Sequence, residues 1–373
     1  MWPRLFPGLL YKGKSFTHEW MQLALNCPPL SSAWLHSGAE HLLIRRRASG
    51  GAECSTTGKD IYELLLMRQE TLTALKDVVN DGCPAKITDE IVMAAFALAL
   101  HPHERDQDAS SRMKMAPLSN LQWLTRFTDI VIMDGHVRGL RYLVQARGGF
   151  EKLKMPGLSE GLSTWDLITA SKFLARPYWP LLTNIQLDSA AEFLAKFEYT
   201  DSVTGNLHCL LYTTFPQPVM WVFHALRGYS SLLEGYAVGR VFNLDLGYVL
   251  KLRNLLHYHV LSIPAATFAD TGTVSHIYES LRLTLIVYSM LVLFPVPLMT
   301  SPYPTLAGLL RYELESIRDE VWTAMSSLLL WSLTLGGIAA LDTPLGPCGI
   351  EGRILWKEAQ ECGHQLLAEH YPT

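Results

Sequence analysis

The sequence predicts an all-α fold, a large helical bundle or array built around central apolar helices. Hydrophobic residues make up 49% of the 373 residues and charged residues only 18%, below the roughly 25% of typical proteins, so the chain can build a sizeable core. Apolar side chains recur at helical spacing, whereas one short stretch, 207–215, is the candidate for extended structure. Two almost wholly apolar stretches, 283–293 and 328–341, are the expected central helices.

The first clear helix is predicted to start at Asp60, which forms a capping-box pattern with Glu63, and to stop at the Asn-Asp-Gly sequence of 80–82. Thr88 is placed to cap the next helix, which is predicted to continue to His101, before a proline. The apolar residues of the first helix recur at helical spacing: Ile61, Leu64, Leu65, Leu72, Leu75 and Val79.

Composition predicts two parts, an N-terminal segment with a flexible linker (1–59) and a helical domain of regulatory type (60–373). Residues 45–59 are small, polar and glycine-rich, which is typical of a linker or mobile loop, and 102–120 is a second polar loop. The three arginines at 45–47 indicate a solvated helix end. A phosphate or nuclear-import patch is the alternative, although such patches usually have about five to eight basic residues.

The two apolar stretches are also candidates for membrane spans. Each is shorter than the roughly 20 unbroken apolar residues that cross a bilayer, and the first ends in Pro295 and Pro297. Buried core helices are therefore predicted, with a membrane hairpin as the alternative.

Charge and cysteine spacing exclude two classes of protein. Thirty-one basic and 35 acidic residues give a net charge of -4, which argues against a chain that wraps nucleic acid. The cysteines form no close pair of the kind that binds zinc or that marks a disulfide-rich secreted scaffold, so a reducing compartment and no metal are predicted. The six are Cys27, Cys54, Cys83, Cys209, Cys348 and Cys362.

The sequence has no dinucleotide fingerprint, phosphate-binding loop, nucleophile elbow or HExxH motif. Four local groups are the remaining candidates, and each has an ordinary structural alternative: a loop at a helix end, core or surface histidines, a helix stop, and a turn. They are His101, His103 and Glu104; His257 and His259; Asp129, Asp134 and His136; and Cys348 in a Gly-Pro-Cys-Gly sequence. No catalytic or cofactor-binding residue is assigned, and no cofactor is expected.

Three segments occur in a characteristic order. Residues 136–153 contain a histidine, then Gly-Leu, then Arg-Gly-Gly, then leucine. Residues 279–297 contain an acidic residue, Arg-Leu and a long apolar run that ends in proline. Residues 321–341 contain a tryptophan and then Gly-Gly, and 351–356 is a weaker fourth match. Together these segments resemble the regulatory domain of fungus-specific transcription factors of the zinc-cluster family.

Helix packing explains much of this pattern. In the first segment three apolar residues form one stripe and three polar residues form the opposite, wet face, while Gly148 and Gly149 supply the positive-φ ending of a helix. In the second, Glu279 and Arg282 are one turn apart and are expected to pair. The stripe is Val137, Leu140 and Val144, and the wet face is Arg138, Arg141 and Gln145.

The resemblance implies a transcription-regulatory protein in the nucleus, expected to control a secondary-metabolite gene cluster through protein or small-molecule contacts. The expected protein partner is a second copy of the chain or a zinc-cluster transcription factor. The alternatives are an enzyme or ligand-binding protein of a fungal biosynthetic pathway on the same scaffold, in the cytoplasm, and a purely structural partner. The missing catalytic motifs make an enzyme the less favoured of these.

The chain departs from the family at its N-terminal side. Complete members carry a DNA-binding module in which six cysteines hold two zinc ions, whereas residues 1–44 contain only Cys27. Three explanations are open: a member that lost the module, a gene model that lacks an exon, or a scaffold reused for other work. The sequence therefore predicts no sequence-specific DNA binding by this chain itself, and no association with membranes.

Overall fold

The computed structural model describes residues 10–11, 14–15, 17–48, 58–83, 86–100, 132–183, 185–197, 215–241, 244–266, 272–295 and 302–341. In these residues the prediction of an all-α fold is confirmed. Thirteen α-helices account for most of them, and the one sheet is a pair of two-residue antiparallel strands, β1 (Leu10–Tyr11) and β2 (Lys14–Ser15).

The chain forms two compact units. Among the described residues, the first unit contains those up to Leu100 and those from 132 to 166, and the second contains those from Leu167 onward.

The first unit contains five complete helices and the beginning of a sixth. Helix α2 packs against α1, α3 and α4, and α4 also packs against α5. The core includes the fully buried side chains of Trp20, Leu30 and Met93. The elements are α1 (Thr17–Leu25), α2 (Pro28–Ala48), α3 (Gly58–Asn80), α4 (Asp89–Ala99), α5 (Asp134–Ala146), a 3₁₀ turn (Phe150–Lys152) and the start of α6 (Leu158–Phe173).

Helix α5 has the amphipathic pattern predicted for the first family-like segment. Its apolar stripe is buried, and Arg138 and Gln145 on the opposite face are exposed. Gly148 and Gly149 follow with φ angles of 106° and 95°, values that side chains other than glycine rarely adopt. The helix therefore ends as predicted, and Phe150 is buried directly after the turn.

The interpretation of residues 45–59 as a linker is wrong at both ends. Helix α2 continues through the three arginines to Ala48, and α3 begins at Gly58, two residues before the predicted capping box. Arginine and alanine are good helix formers, and they extend α2 into the polar stretch. The stop of α3 at Asn80 is confirmed, with Gly82 at a φ of 64°. Residues 49–57 and the predicted loop 102–120 lie outside the described residues.

The second unit contains the end of α6 and seven further helices. Helix α8 packs against α7 and α9, and α10 packs against α9, α11 and α13. The elements are α7 (Leu187–Ala195), α8 (Gln217–Ala237), α9 (Leu246–Ser262), α10 (Thr273–Tyr288), a π-helix (Ser289–Leu293), α11 (Tyr303–Glu315), α12 (Asp319–Ala324) and α13 (Ser326–Leu341).

Helices α10 and α13 confirm the predicted central apolar helices. Leu281, Leu285 and Leu328 are fully buried, and so is Ala339. The third family-like segment is divided, however, because the chain turns at Met325 between α12 and α13. Within the described residues, one continuous helical stretch, Thr273–Leu293, has the length and apolar composition of a membrane span, and most of it is buried inside the protein.

Candidate functional site

The second unit contains a buried polar cluster centred on His257. We call it the His257 cluster and define it as Ser171, Arg253, His257, Ser289 and Phe294. All five side chains are buried, with 0–1% of their surface exposed. They come from three elements that are distant in sequence: α6, α9 and the π-helix with the residue that follows it.

Both ring nitrogens of His257 are hydrogen-bonded to serines. Nε2 lies 2.7 Å from Ser171 Oγ, and Nδ1 lies 2.8 Å from Ser289 Oγ. Ser171 Oγ also donates to the carbonyl oxygen of Leu167 at 2.7 Å. A hydroxyl has only one proton, so Ser171 accepts from Nε2–H while Ser289 donates to Nδ1. The network therefore assigns the tautomer of His257 with its proton on Nε2.

Burial sets the charge of the cluster. Burial, together with the smaller effect of the nearby positive charge of Arg253, lowers the pKa of His257 from 6.5 to about 3. Burial also lowers the pKa of Arg253, to about 10, which leaves its guanidinium charged at neutral pH. His257 is thus neutral, and the one cation of the cluster is Arg253.

Phe294 joins the two basic side chains. The His257 ring stacks on it with a centroid distance of 4.4 Å and an interplanar angle of 7°. The guanidinium carbon of Arg253 lies 5.2 Å from the centroid of the same ring, within the range of a cation–π interaction. Arg253 and His257 are four residues apart on α9, so one face of that helix presents both to Phe294.

The π-helix positions Ser289, the hydrogen-bond partner of His257 Nδ1. Its extra residue per turn is closed by a 2.8 Å hydrogen bond from the Phe294 backbone N–H to the Ser289 carbonyl oxygen. Ser289 and Phe294, at its two ends, both contact His257. Single π-turns of this kind are rare and are frequently found at functional sites.

The arrangement has the geometry of a nucleophile, a base and an orienting group, with Ser289, His257 and Ser171 in those roles. Two observations argue against catalysis by it. A general base works best with a pKa near the operating pH, whereas the pKa of His257 is about 3. All three side chains are also completely buried, so no substrate reaches them in this conformation.

Of the candidates from the sequence, His257 is a core histidine, as its ordinary interpretation predicted. His259 lies in the same helix, where its ring contacts Trp221 edge-on at 5.3 Å and burial lowers its pKa. The interpretation of Asp134 as part of a helix stop is wrong, because Asp134 is the first residue of α5 and pairs with Arg138 at 2.8 Å. The groups at 101–104, 129 and 348 lie outside the described residues.

Sequence reasoning missed the partners of His257. The available signal was weak: Ser289 is a polar residue at the end of a long apolar helix, and Arg253 is a charged residue in a leucine-rich one. Neither pattern shows which distant residue is the partner. Among the described residues, no group of three or more His, Cys, Asp or Glu side chains is placed to hold a metal ion.

The arginine of the first family-like segment holds its turn in place. Arg147 Nε donates to Asp89 Oδ1 at 2.7 Å, and the other carboxylate oxygen accepts from the backbone N–H groups of Lys154 and Met155 at 2.5 and 2.8 Å. One carboxylate at the start of α4 thus binds the end of α5 and the loop before α6.

The predicted pair of the second segment is confirmed. Arg282 binds Glu279 with two hydrogen bonds, one from Nη2 to Oε1 and one from Nε to Oε2 at 2.9 Å. Glu279 Oε2 also accepts from the backbone N–H of Ala266 at 3.1 Å. The pair therefore fixes the start of α10 against the chain that leaves α9.

The tryptophan of the third segment lies between two neighbouring helices. The Trp331 ring contacts Phe223 of α8 and Tyr288 of α10, with centroid distances of 6.1 and 5.8 Å. The next residue, Ser332, accepts a 2.9 Å hydrogen bond from Thr284, and both side chains are fully buried.

Comparison of the chain with protein-family models, with curated proteins and with solved structures found no match.

Proposed function

We propose that the chain is a transcription-regulatory protein of the fungal zinc-cluster type that acts through protein or small-molecule contacts rather than by reading DNA itself. One observation carries the proposal: the residues that give each segment its resemblance hold helices together. Arg147, the Glu279–Arg282 pair and Trp331 all bind or pack across element boundaries. Such residues define a shared scaffold rather than a shared catalytic centre.

Charge and cysteine content support the proposal that the chain does not read DNA itself. Specific DNA recognition needs an element that reads base edges in a groove, and affinity comes from neutralised phosphates. The chain has a net charge of -4, and its basic run of three arginines lies at the end of α2. No cysteine pattern in the sequence matches the zinc-cluster module.

A fluorescence-anisotropy titration against a candidate promoter near physiological salt tests this directly. The proposal predicts weak, competitor-sensitive binding or none by the chain alone, and recruitment to the promoter when a zinc-cluster transcription factor is added. Nanomolar binding that survives excess competitor DNA would contradict it. Deleting the gene should also change transcript levels of a secondary-metabolite gene cluster.

An enzyme or ligand-binding protein on the same scaffold is the second candidate, and the Ser289–His257–Ser171 arrangement favours it. On this hypothesis the second unit opens and exposes Ser289, which then reacts with a serine-directed fluorophosphonate. Labelling of the folded protein that is lost in Ser289→Ala and kept in Ser262→Ala would support it. The complete burial of the cluster makes the regulatory function the better supported one.

A further inference from the structure

A histidine and a glutamate meet where α10 and α11 pack against each other. His276 is in the first turn of α10, and Glu313 is in the last turn of α11. His276 Nδ1 lies 2.7 Å from Glu313 Oε2, across 37 residues of sequence. Both side chains are partly buried, with 23% of His276 and 15% of Glu313 exposed. We call these two residues the His276–Glu313 dyad.

The hydrogen bond fixes which ring nitrogen of His276 carries the proton. An ionised carboxylate only accepts, so the neutral ring donates from Nδ1 and keeps its lone pair on Nε2. Within the described residues Nε2 forms no hydrogen bond, and it is not among the buried polar atoms. The dyad therefore presents a lone pair to solvent, whereas both ring nitrogens of His257 are bonded to serines in the core.

The negative charge of Glu313 acts mainly on this imidazole. In the part of the chain that the structure describes, His276 is its one ionisable partner. Neighbouring charges on both helices are paired elsewhere. Arg311 binds Glu315 on α11 at 2.7 Å. On α10, Arg282 binds Glu279. Glu313 therefore orients the ring and stabilises the positive charge that develops on it when Nε2 forms a new bond.

An exposed aromatic ring borders the dyad. The Tyr312 ring lies edge-on to the His276 ring with a centroid distance of 6.4 Å, and 62% of Tyr312 is exposed. Leu309, one turn earlier on α11, is 44% exposed. The two side chains give α11 an apolar surface beside the lone pair of Nε2, and a flat aryl group packs well on such a surface.

We propose that His276 is the nucleophile of an esterolytic site that takes aryl esters, with Glu313 as its positioning residue. This inference goes beyond the proposed function and holds whether or not the chain regulates transcription. Nε2 forms a bond to the ester carbonyl carbon, and the bond from that carbon to the aryl oxygen breaks, so the aryl group leaves as a phenolate.

Water completes the reaction. The first step leaves a positively charged acyl-imidazole, which the carboxylate of Glu313 stabilises. The oxygen of a water molecule then bonds to the acyl carbon, and the electrons of the carbon–nitrogen bond return to Nε2. A carboxylic acid leaves, the second proton of the water passes to the phenolate, and the neutral ring is restored. The reaction needs no oxidant, reductant or cofactor.

Hydrolysis of p-nitrophenyl acetate by the full chain tests the activity, since the p-nitrophenolate released is followed by absorbance. His276→Gln should lower kcat/KM by about tenfold or more, because glutamine has no ring nitrogen to attack the ester. His259→Gln is the matched control and should leave kcat/KM unchanged. His259 also lies edge-on to an aromatic ring, but within the described residues it has no carboxylate partner.

Two further variants separate orientation from substrate binding. Glu313→Gln should lower kcat by about tenfold with KM nearly unchanged, because it removes a charge that acts on the reacting ring. It should also shift the proton from Nδ1 toward Nε2 in long-range proton–nitrogen NMR spectra of His276. Tyr312→Ala should instead raise KM and leave kcat nearly unchanged. Far-UV circular dichroism and the thermal midpoint check that each variant is folded.

Diethylpyrocarbonate, which acylates neutral imidazoles, tests the lone pair in the wild-type protein, where the folding of a variant plays no part. Peptide mass spectrometry should find His276 modified before His259 and His257. Modification of His259 as fast as that of His276 would overturn the proposal. So would a wild-type chain that hydrolyses the ester no faster than free imidazole at the same concentration, or a folded His276→Gln chain with unchanged kcat/KM.

Discussion

Replacing Asp89 by alanine is expected to destabilise the first unit strongly. The carboxylate is 8% exposed and accepts three hydrogen bonds, one from the Arg147 guanidinium and two from the backbone N–H groups of Lys154 and Met155. Alanine removes all three and leaves a buried donor on Met155 without its acceptor. Since each hydrogen bond to a charged group contributes about 1.5–3 kcal/mol and a buried donor without an acceptor costs about 1–3 kcal/mol, we expect a loss of about 3–5 kcal/mol in the free energy of unfolding.

Asp134 provides a matched control. It is also the first residue of a helix and also pairs with an arginine, Arg138, at 2.8 Å, but both side chains are 75% exposed. Exposed pairs contribute about 0–1 kcal/mol, so Asp134→Ala should cost less than about 1 kcal/mol. Comparing Asp89→Ala with Asp134→Ala separates two contributions to the free energy of unfolding: that of burial and backbone hydrogen bonds, and that of a negative charge at a helix N-terminus.

Urea unfolding followed by circular dichroism measures both variants. Arg147→Ala should cost about 1–2 kcal/mol, less than Asp89→Ala, because the backbone donors keep their acceptor. A double-mutant cycle between Asp89 and Arg147 should give a coupling energy of about 1–2 kcal/mol, because most of the effect of Arg147→Ala is the loss of Asp89 as its partner. Equal effects of Asp89→Ala and Asp134→Ala would refute the conclusion that Asp89 holds α4, α5 and the loop before α6 together.

Three further predictions follow from single positions. Gly228→Ala should destabilise the second unit by about 1–3 kcal/mol because a Cβ there would lie 2.7 Å from the Leu194 carbonyl oxygen. A Cβ added at Gly139, in the middle of α5, meets nothing within 4 Å, so Gly139→Ala should stabilise the first unit by up to about 1 kcal/mol. Equal effects of Gly228→Ala and Gly139→Ala in thermal unfolding would contradict these two predictions. His257 has a pKa of about 3 when folded, against 6.5 as its ordinary value, so its stabilising contribution is complete above pH 6.5. As the pH falls from 6.5 toward 3, His257 binds a proton in the unfolded state before it does so in the folded state. The free energy of unfolding therefore decreases by up to about 1.4 kcal/mol per pH unit. Urea titrations at pH 7 and pH 5 should show this decrease for the wild-type chain, and His257→Gln should lack the part that comes from His257. Finally, elemental analysis should find no stoichiometric zinc, and one ion per chain would contradict the cysteine argument.

Local patterns in the sequence predicted several features correctly. The apolar stretches that became α10 and α13 have too many consecutive apolar residues for any position but the centre of a helical unit. The double glycine after α5 and the i, i+3 pair of Glu279 and Arg282 depend only on neighbours within a few residues. Such signals are readable because helix geometry fixes which nearby residues meet.

The same local reasoning failed where helix length or exposure depended on distant partners. Residues 45–48 are helical, in agreement with a helix end at the three arginines, although the composition of 45–59 as a whole indicated a linker. In α3, Leu75 is buried but Leu65 and Leu72 are exposed, and helical spacing did not distinguish the three. Spacing shows that apolar residues share a helix, but the packing of α2 and α4 determines which side of α3 is covered.

The sequence by itself determined the all-α class, the central apolar helices and the ending of α5, because each follows from the short-range geometry of the helix. Only the tertiary structure decided which polar residues meet. Ser171, His257 and Ser289 are brought together across 86 and 32 residues of sequence, and Asp89 meets Arg147 across 58. A hydrogen bond between distant residues leaves no periodic signal in the chain, since it depends on how the helices pack and not on the spacing within any one of them.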